Sequence, residues 1–284
     1  MNLYDKITYH FLIQLRKFLS IISEQSRNLL SNYLASLFFN FIDIRRRQAE
    51  INIKRAFPEF TDNEVLVLLK KTYQFFCYHF IEFICAPKSW NNLKLTVEGK
   101  EILESNLEQN RGVIFVSGHF GAWEILGKWL GQHTKLFAGI ALRQKNRGAD
   151  RFFQEQRELP GTKQFYKKEN AIEKAYDVLK NNGVLGLVSD QDAKSKGSFV
   201  KFFGHPASTP KGAALFHINT LSPIIVGVCV QEGFKKYKIK LFPVSIEDKN
   251  VDSITQSYTE ILENCIKNHP EQYFWFHRRW KTVP

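Results

Sequence analysis

Gly112-Val113-Ile114-Phe115-Val116-Ser117-Gly118-His119-Phe120-Gly121-Ala122-Trp123-Glu124 decides the fold. Val113 to Val116 are an uninterrupted apolar run of strand length, as expected for a strand buried on both faces. Ser117, Gly118 and Gly121 loosen the chain at its end. Glu124, Ile125, Leu126, Trp129 and Leu130 then begin helical spacing. His119 is thereby placed at the carboxyl end of a buried strand, against the first turn of a helix. Open α/β sheets bind ligands and do chemistry at that edge.

His119 and Glu124 have four residues between them. On one regular helix, five positions turn about 500°, so the two side chains diverge by roughly 140°. They meet only if the chain turns between them, and Gly121 permits such a turn. A carboxylate that meets an imidazole fixes its tautomer and supports its positive form. The other ring nitrogen is then free to take a proton from a hydroxyl. The plain alternative is a histidine that merely caps a helix.

Net charge is +12, and 44% of residues are apolar. The length of 284 residues allows one large domain or two small ones. The charge favours an anionic partner: an anionic membrane surface, an acidic protein or nucleic acid. Zinc-finger spacing, aromatic-basic repeats and a long basic tail are all missing, which argues against nucleic acid. The 25 Phe suit either a large core or a protein that handles acyl chains. Cys77, Cys85, Cys229 and Cys265 form no CxxC pair, which fits buried, reduced thiols.

Ile7, Phe11, Leu15, Phe18 and Ile22 make an apolar stripe on a helix over 6–22. A second helix, about 29–55, starts apolar and ends basic with Arg45, Arg46, Arg47, Lys54 and Arg55. Over 1–56, nine Lys and Arg oppose four Asp and Glu. Apolar faces beside bases describe an interfacial anchor; a helical hairpin packed on the main domain is the alternative. Between Arg27 and Asp43 lie only 15 residues, including Asn28, Asn32 and Asn40. That is short of the roughly 20 apolar residues a spanning helix needs. Phe57-Pro58 ends the second helix, and the Thr61-to-Glu64 capping box opens a long one to about Ile84.

Further on, strands over 93–97, 113–116, 136–141, 163–166 and 184–188 alternate with helices. Residues 197–208 read as an irregular loop, and Thr209-Pro210 as the cap of a helix to Asn219. A hairpin over 224–230 and 237–242 and a helix over 252–268 complete the chain. The expected fold class is α/β, a mixed central sheet flanked by helices with an N-terminal membrane-associating helical segment.

Several stretches together resemble one family. Arg45-Arg46-Arg47, Asn52 and Ala56-Phe57-Pro58-Glu59 match its N-terminal signature, and Gly118 to Glu124 its His-x4-acid motif. Asp190-Gln191-Asp192, Gly197-Ser198-Phe199-Val200, Phe202-Phe203-Gly204 and Ala207-Ser208-Thr209-Pro210 follow in order, and His277-Arg278-Arg279-Trp280-Lys281 ends the series. This is similar to the bacterial late acyltransferases of lipid A biosynthesis, the lauroyl/myristoyl type, and their glycolipid-acylating relatives. The resemblance covers nearly the whole chain. It implies residues 1–56 as a basic, amphipathic membrane-associating segment and 57–284 as an α/β acyltransferase domain. It implies transfer of a fatty acyl chain from acyl carrier protein, or acyl-CoA, to a hydroxyl of a lipid A precursor. The implied place is the cytoplasmic face of the inner membrane, peripheral or monotopic, with no metal or cofactor. Many members have an evident N-terminal spanning helix, degraded here by Asn and Ser. Of a Tyr-Arg-Pro-like step only Arg143 carries over.

In that chemistry His119 is the expected base, and Glu124 the group that orients it. Backbone N–H groups around Phe120 and Gly121 are the expected oxyanion donors. Ser117 as a nucleophile is the lesser alternative. Arg143 is a candidate for binding a phosphate of donor or acceptor. Asp190 and Asp192, at another strand end, are candidates for holding Arg143 or the acceptor, or simply for capping a turn. Arg278 and Arg279 are candidates for headgroup contact. Competing readings are a glycerophospholipid or aminolipid acyltransferase, whose Glu-Gly-Thr-Arg block is missing here, and a non-catalytic lipid-binding relative.

Overall fold

The structure, a computed structural model, describes residues 1–43, 45–158, 161–166 and 169–284. Its centre is β2 (Val113–Ser117), whose five residues are all buried. It runs parallel to β5 (Val184–Val188) on one side and to β8 (Ile224–Gly233) on the other. With β1 (Lys94–Glu98), β3 (Phe137–Ala141), β4 (Thr162–Tyr166) and β9 (Lys236–Pro243), the strand order is β1-β9-β8-β2-β5-β3-β4. The hairpin β8–β9 is antiparallel and makes the sheet mixed, as expected.

Alternation along β2 builds two cores. Val113 and Phe115 pack with Leu103 of α5 (Lys100–Glu108) and with Ile125, Leu126 and Trp129 of α6 (Trp123–His133). Ile114 and Val116 pack with Ala175 of α8 (Ala171–Lys180), Ala213 of α9 (Gly212–Thr220) and Tyr258 of α10 (Val251–Asn268). A fully buried large apolar side chain contributes about 1.5–3 kcal/mol, so β2 is held from both faces.

Two expectations about local structure do not hold. Residues 197–208 are no irregular loop. They form a second, antiparallel hairpin of β6 (Ser198–Phe202) and β7 (His205–Thr209). Along β6, Ser198, Val200 and Phe202 point inward while Phe199 and Lys201 are exposed. Its turn, Phe203-Gly204, takes positive φ at both residues, the two-residue turn whose twist suits a hairpin. Pro210 lies before α9, whose N-cap is Lys211, rather than at its first position. The helix read over 29–55 is also broken. α2 (Glu24–Leu37) runs into a π-helical turn, Phe38–Ile42, and α3 (Arg46–Ala56) starts afresh. Asp43 and Arg45 flank the break in left-handed conformation; Ile44 lies outside the described residues. The break lets Asn52 of α3 donate to the carbonyls of Trp275 and His277, each at 2.6 Å, which hooks the helix to the C-terminal tail.

α1 (Leu3–Ile21) and α2 pack on α4 (Asp62–Ile84), and α1 also packs on α7 (Arg147–Arg157). The expected Thr61–Glu64 capping box starts α4. Arg27 of α2 is buried and donates from Nε to Glu82 of α4 at 2.7 Å. Its Nη1 reaches the carbonyls of Ile22 and Leu19 at 3.1 and 3.4 Å. The outer face of α1 keeps Ile7, Phe11 and Phe18 exposed. Among the described residues no helix is long and apolar enough to cross a membrane.

The pairing predicts an asymmetry. Glu82→Ala strands a buried guanidinium and should cost about 3–5 kcal/mol, whereas the double change Arg27→Met with Glu82→Leu should cost far less. Urea unfolding of the three variants checks it; equal losses for Glu82→Ala and the double variant would refute a pairing role.

Candidate active site

Strand register assembles the site. Ser117 is the partner of Val188, and the Ser117 carbonyl accepts the Ser189 N–H at 2.9 Å. Two positions beyond each partner, His119 and Asp190 therefore leave the sheet side by side. His119 Nδ1 lies 2.9 Å from Asp190 Oδ1. The backbone N–H of His119 also faces that carboxylate and helps to lower its pKa. An ionised carboxylate only accepts, so Nδ1 carries the proton and Nε2 of the neutral ring is left as the base. Asp190 is 3% exposed, yet the His119 charge and these contacts overcome its burial and hold it below the usual carboxylate range. Burial also opposes a charged His119, but the Asp190 charge and hydrogen bond, aided by Glu124, raise it above the ordinary histidine value.

Glu124 does not orient the imidazole as expected. It sits in the first turn of α6 and is clamped by Arg157, from Nε at 3.1 and 3.0 Å and from Nη2 at 2.5 Å. The Trp123 indole N–H donates to it at 3.1 Å. The turn at Gly121 serves another purpose. Its φ is +63°, and a Cβ there would stand 2.2 Å from the Cys229 carbonyl oxygen, so only glycine fits. The Gly121 N–H is spent on the Gln272 carbonyl at 2.9 Å, and the Ala122 N–H on Cys229 at 2.7 Å. The Gly121 N–H is thus not free to act as the expected oxyanion donor, whereas the Phe120 N–H, the other expected donor, is not among the spent groups. Ser117 Oγ is buried and makes no hydrogen bond, so no serine nucleophile is coupled to this imidazole.

Beside His119 opens a cavity of about 520 Å³. Trp123 and Phe274 line it and also touch the imidazole, with ring centroids 5.4 and 6.2 Å away. Phe76, Phe83, Trp90 and Ile125 give it apolar walls; Phe38, Phe80 and Arg45 also line it, and so does Glu124, whereas His119 itself stands behind Trp123 and Phe274. His79 belongs to the wall; it bonds Gln231 at 3.2 Å, and burial pushes it down to about 4, so it stays neutral. The space suits an apolar chain.

The other candidates hold partners of their own, though the Arg279 charge also helps to lower the Asp190 pKa. Arg143 stacks on Tyr166 at 4.3 Å, pairs with Glu169 and lies 4.0 Å from Asp150. Asp192 accepts from Thr282, N–H at 3.3 Å and hydroxyl at 3.0 Å. Arg278 is exposed, but Arg279 is buried and bonds Ser208 and Thr209, so it is no headgroup ligand. The sequence places Asp190 at a strand end without showing its bond to His119, and it marks nothing at Arg157. Neither adjacency has a local signal, because both depend on which strands and helices become neighbours. Among the described residues no group of three or more His, Cys, Asp or Glu is placed to hold a metal ion.

A bacterial lipid A biosynthesis acyltransferase family model matches residues 3–282. The chain belongs to that family. Curated relatives are named acyltransferases as well. The chain is 26% identical over 251 residues to the lipid A biosynthesis palmitoleoyltransferase of Escherichia coli strain K12, covering 86% of this chain and 81% of the relative. It is 24% identical over 261 residues to the lauroyltransferase of the same strain, covering 88% and 84%. A phosphatidylinositol mannoside acyltransferase of Mycobacterium tuberculosis strain CDC 1551 is 26% identical over 192 residues, covering 66% and 60%. This acyltransferase is therefore an O-acyltransferase of a glycolipid-acylating family.

The dyad predicts a pH profile. A base works only when neutral, so the rate should rise with pH through the elevated His119 value. Asp190→Asn removes the charge that elevates it and should move this acid limb to lower pH while slowing the plateau. Glu124→Gln, which leaves the Nδ1 contact in place, should move it less. A larger shift from Glu124→Gln than from Asp190→Asn, in kcat/KM against pH, would reverse the assignment.

Proposed function

We propose that this acyltransferase moves a fatty acyl chain from an acyl carrier protein or acyl-CoA thioester to a hydroxyl of a lipid A precursor or related glycolipid. The observation that carries the reading is an imidazole whose Nδ1 is committed to Asp190 and which packs against Trp123 and Phe274, two residues that line the apolar cavity. The names of the relatives support both acyl transfer and a glycolipid acceptor. His119 Nε2 takes the hydroxyl proton as the oxygen attacks the thioester carbonyl, and Asp190 stabilises the imidazolium that forms. Glu124 and Arg157 act by position, neutralising each other beside the ring and fixing the start of α6. The acyl tail lies along Phe76, Phe83 and Trp90. The assembled dyad favours catalysis over a purely lipid-binding role.

The work is done at a membrane surface, with the protein bound from the cytoplasmic side of the inner membrane. Ile7, Phe11 and Phe18 on α1, Leu29 and Tyr33 on α2, and Phe41 are exposed apolar side chains. Phe38, in the same π-helical turn as Phe41, lines the cavity, so the apolar surface reaches the acyl site. With a net charge of +12, insertion of apolar side chains and attraction to anionic lipid act together. The same charge favours docking of an acidic acyl carrier protein. Deleting the N-terminal helices is a poor test, because Arg27 binds Glu82 inside the fold.

A transfer assay tests both parts. Full-length protein, an acyl-acyl carrier protein and a lipid A precursor should yield a product heavier by one acyl group, and His119→Ala should abolish it. The triple variant Phe11→Asp, Phe18→Asp, Phe41→Asp should lose transfer to acceptor in anionic vesicles yet keep it in detergent micelles. No acylated product from wild type would reject the reaction, and full activity of the triple variant on vesicles would reject the surface.

A further inference from the structure

We propose that the side-chain amide of Gln191 is the donor that holds the oxyanion of the tetrahedral intermediate. The inference rests on the acyl-transfer reading above and adds a catalytic residue to it. Gln191 Nε2 lies 3.5 Å from His119 Nε2, the nitrogen that must take the proton. At that length the amide is a neighbour of the base more than its firm partner. A group so placed is within reach of a carbonyl carbon attacked beside Nε2.

In the turn that carries His119 several donors are already committed, though the Phe120 N–H is not among them. The Gly121 N–H serves the Gln272 carbonyl and the Ala122 N–H the Cys229 carbonyl, while the His119 N–H faces Asp190. The Trp123 indole serves Glu124. The backbone of Gln191 is also held on both sides. Asp190 before it is fixed by His119, and Asp192 after it by Thr282. A donor fixed beforehand costs no reorganisation when the charge develops. An amide suits the place because it is neutral. A carboxylate would repel the oxyanion, and a lysine would disfavour protonation of the base.

In the step, the acceptor oxygen bonds to the thioester carbon and its proton passes to His119 Nε2. The carbonyl π pair becomes the oxyanion, which accepts from the Gln191 amide. Collapse restores the carbonyl and breaks the C–S bond. The thiolate leaves with that pair and takes the proton back from His119, giving ester and thiol.

The test uses Gln191→Leu and Gln191→Glu in the full-length protein. Three quantities are measured with a long-chain acyl-CoA: transfer to a lipid A precursor, thioester hydrolysis without acceptor, and affinity for the unreactive acyl-CoA thioether. Transfer and hydrolysis pass through the same oxyanion. Both should fall together in kcat by about 10²–10³-fold, the usual cost of one such donor, with thioether affinity and melting temperature unchanged. Gln191→Glu should also move the acid limb to higher pH. Loss of transfer with hydrolysis intact would make Gln191 an acceptor contact and overturn the proposal. Retention of both would assign the oxyanion to the uncapped first turn of α6 instead. Loss of thioether affinity would make Gln191 part of the donor site. A folded wild type that performs neither reaction would sink the acyl-transfer reading itself, and this assignment with it.

Discussion

The parallel pairing of β2 with β5 is the constraint on which the site depends. Ser117 opposite Val188 leaves one residue after each strand, Gly118 and Ser189, before the critical side chain, so His119 and Asp190 emerge at the same edge. The spacing tolerates no bulk. A Cβ on Gly118 would stand 2.8 Å from Leu262 and 3.2 Å from Asp190 Cβ. A slip of one residue would reverse which face each side chain meets. It would turn Phe115 away from α6 and separate the imidazole from its carboxylate. The burial of β2 in two cores is therefore what fixes a 2.9 Å contact outside the sheet.

Around that contact the chain uses its other polar groups to hold segments rather than to react. The Glu124–Arg157 clamp ties the start of α6 to the end of α7. Asn52 and Arg279 fasten the tail, the first to α3 and the second to the β6–β7 hairpin. The tail in turn supplies Phe274, which touches the imidazole and lines the cavity, and whose N–H bonds the His119 carbonyl at 3.0 Å. One wall of the acyl site thus belongs to the last stretch of the sequence, and Phe38 and Arg45, which also line it, to the first. That explains why motifs so far apart along the chain belong to one function.

Much of this was legible beforehand, and what was missed has physical causes. The apolar run Val113–Val116, the loosened residues after it and the helical spacing from Glu124 place His119 correctly, because each is a local pattern. The β6–β7 hairpin leaves little local signal because its turn, Phe203-Gly204, offers only one residue suited to positive φ. The break between α2 and α3 carries neither proline nor glycine, and Asp43 and Arg45 accept left-handed backbone for tertiary reasons. The partner of His119 was misjudged for a similar reason. Glu124 is near in sequence, but it is claimed by Arg157 at the other end of a separate helix. Asp190 is 71 residues away and is brought in only by strand order.

The central claim is that His119 and Asp190 act as one proton-accepting unit. The most direct measurement is the single-turnover rate of acyl transfer for His119→Ala, Asp190→Asn and the double variant, with thermal melts to confirm folding. A carboxylate whose task is to orient a base has nothing to do once the base is gone. The double variant should then be no slower than His119→Ala alone. Losses that multiply, so that Asp190→Asn slows the His119→Ala enzyme by the same factor as it slows wild type, would contradict the claim.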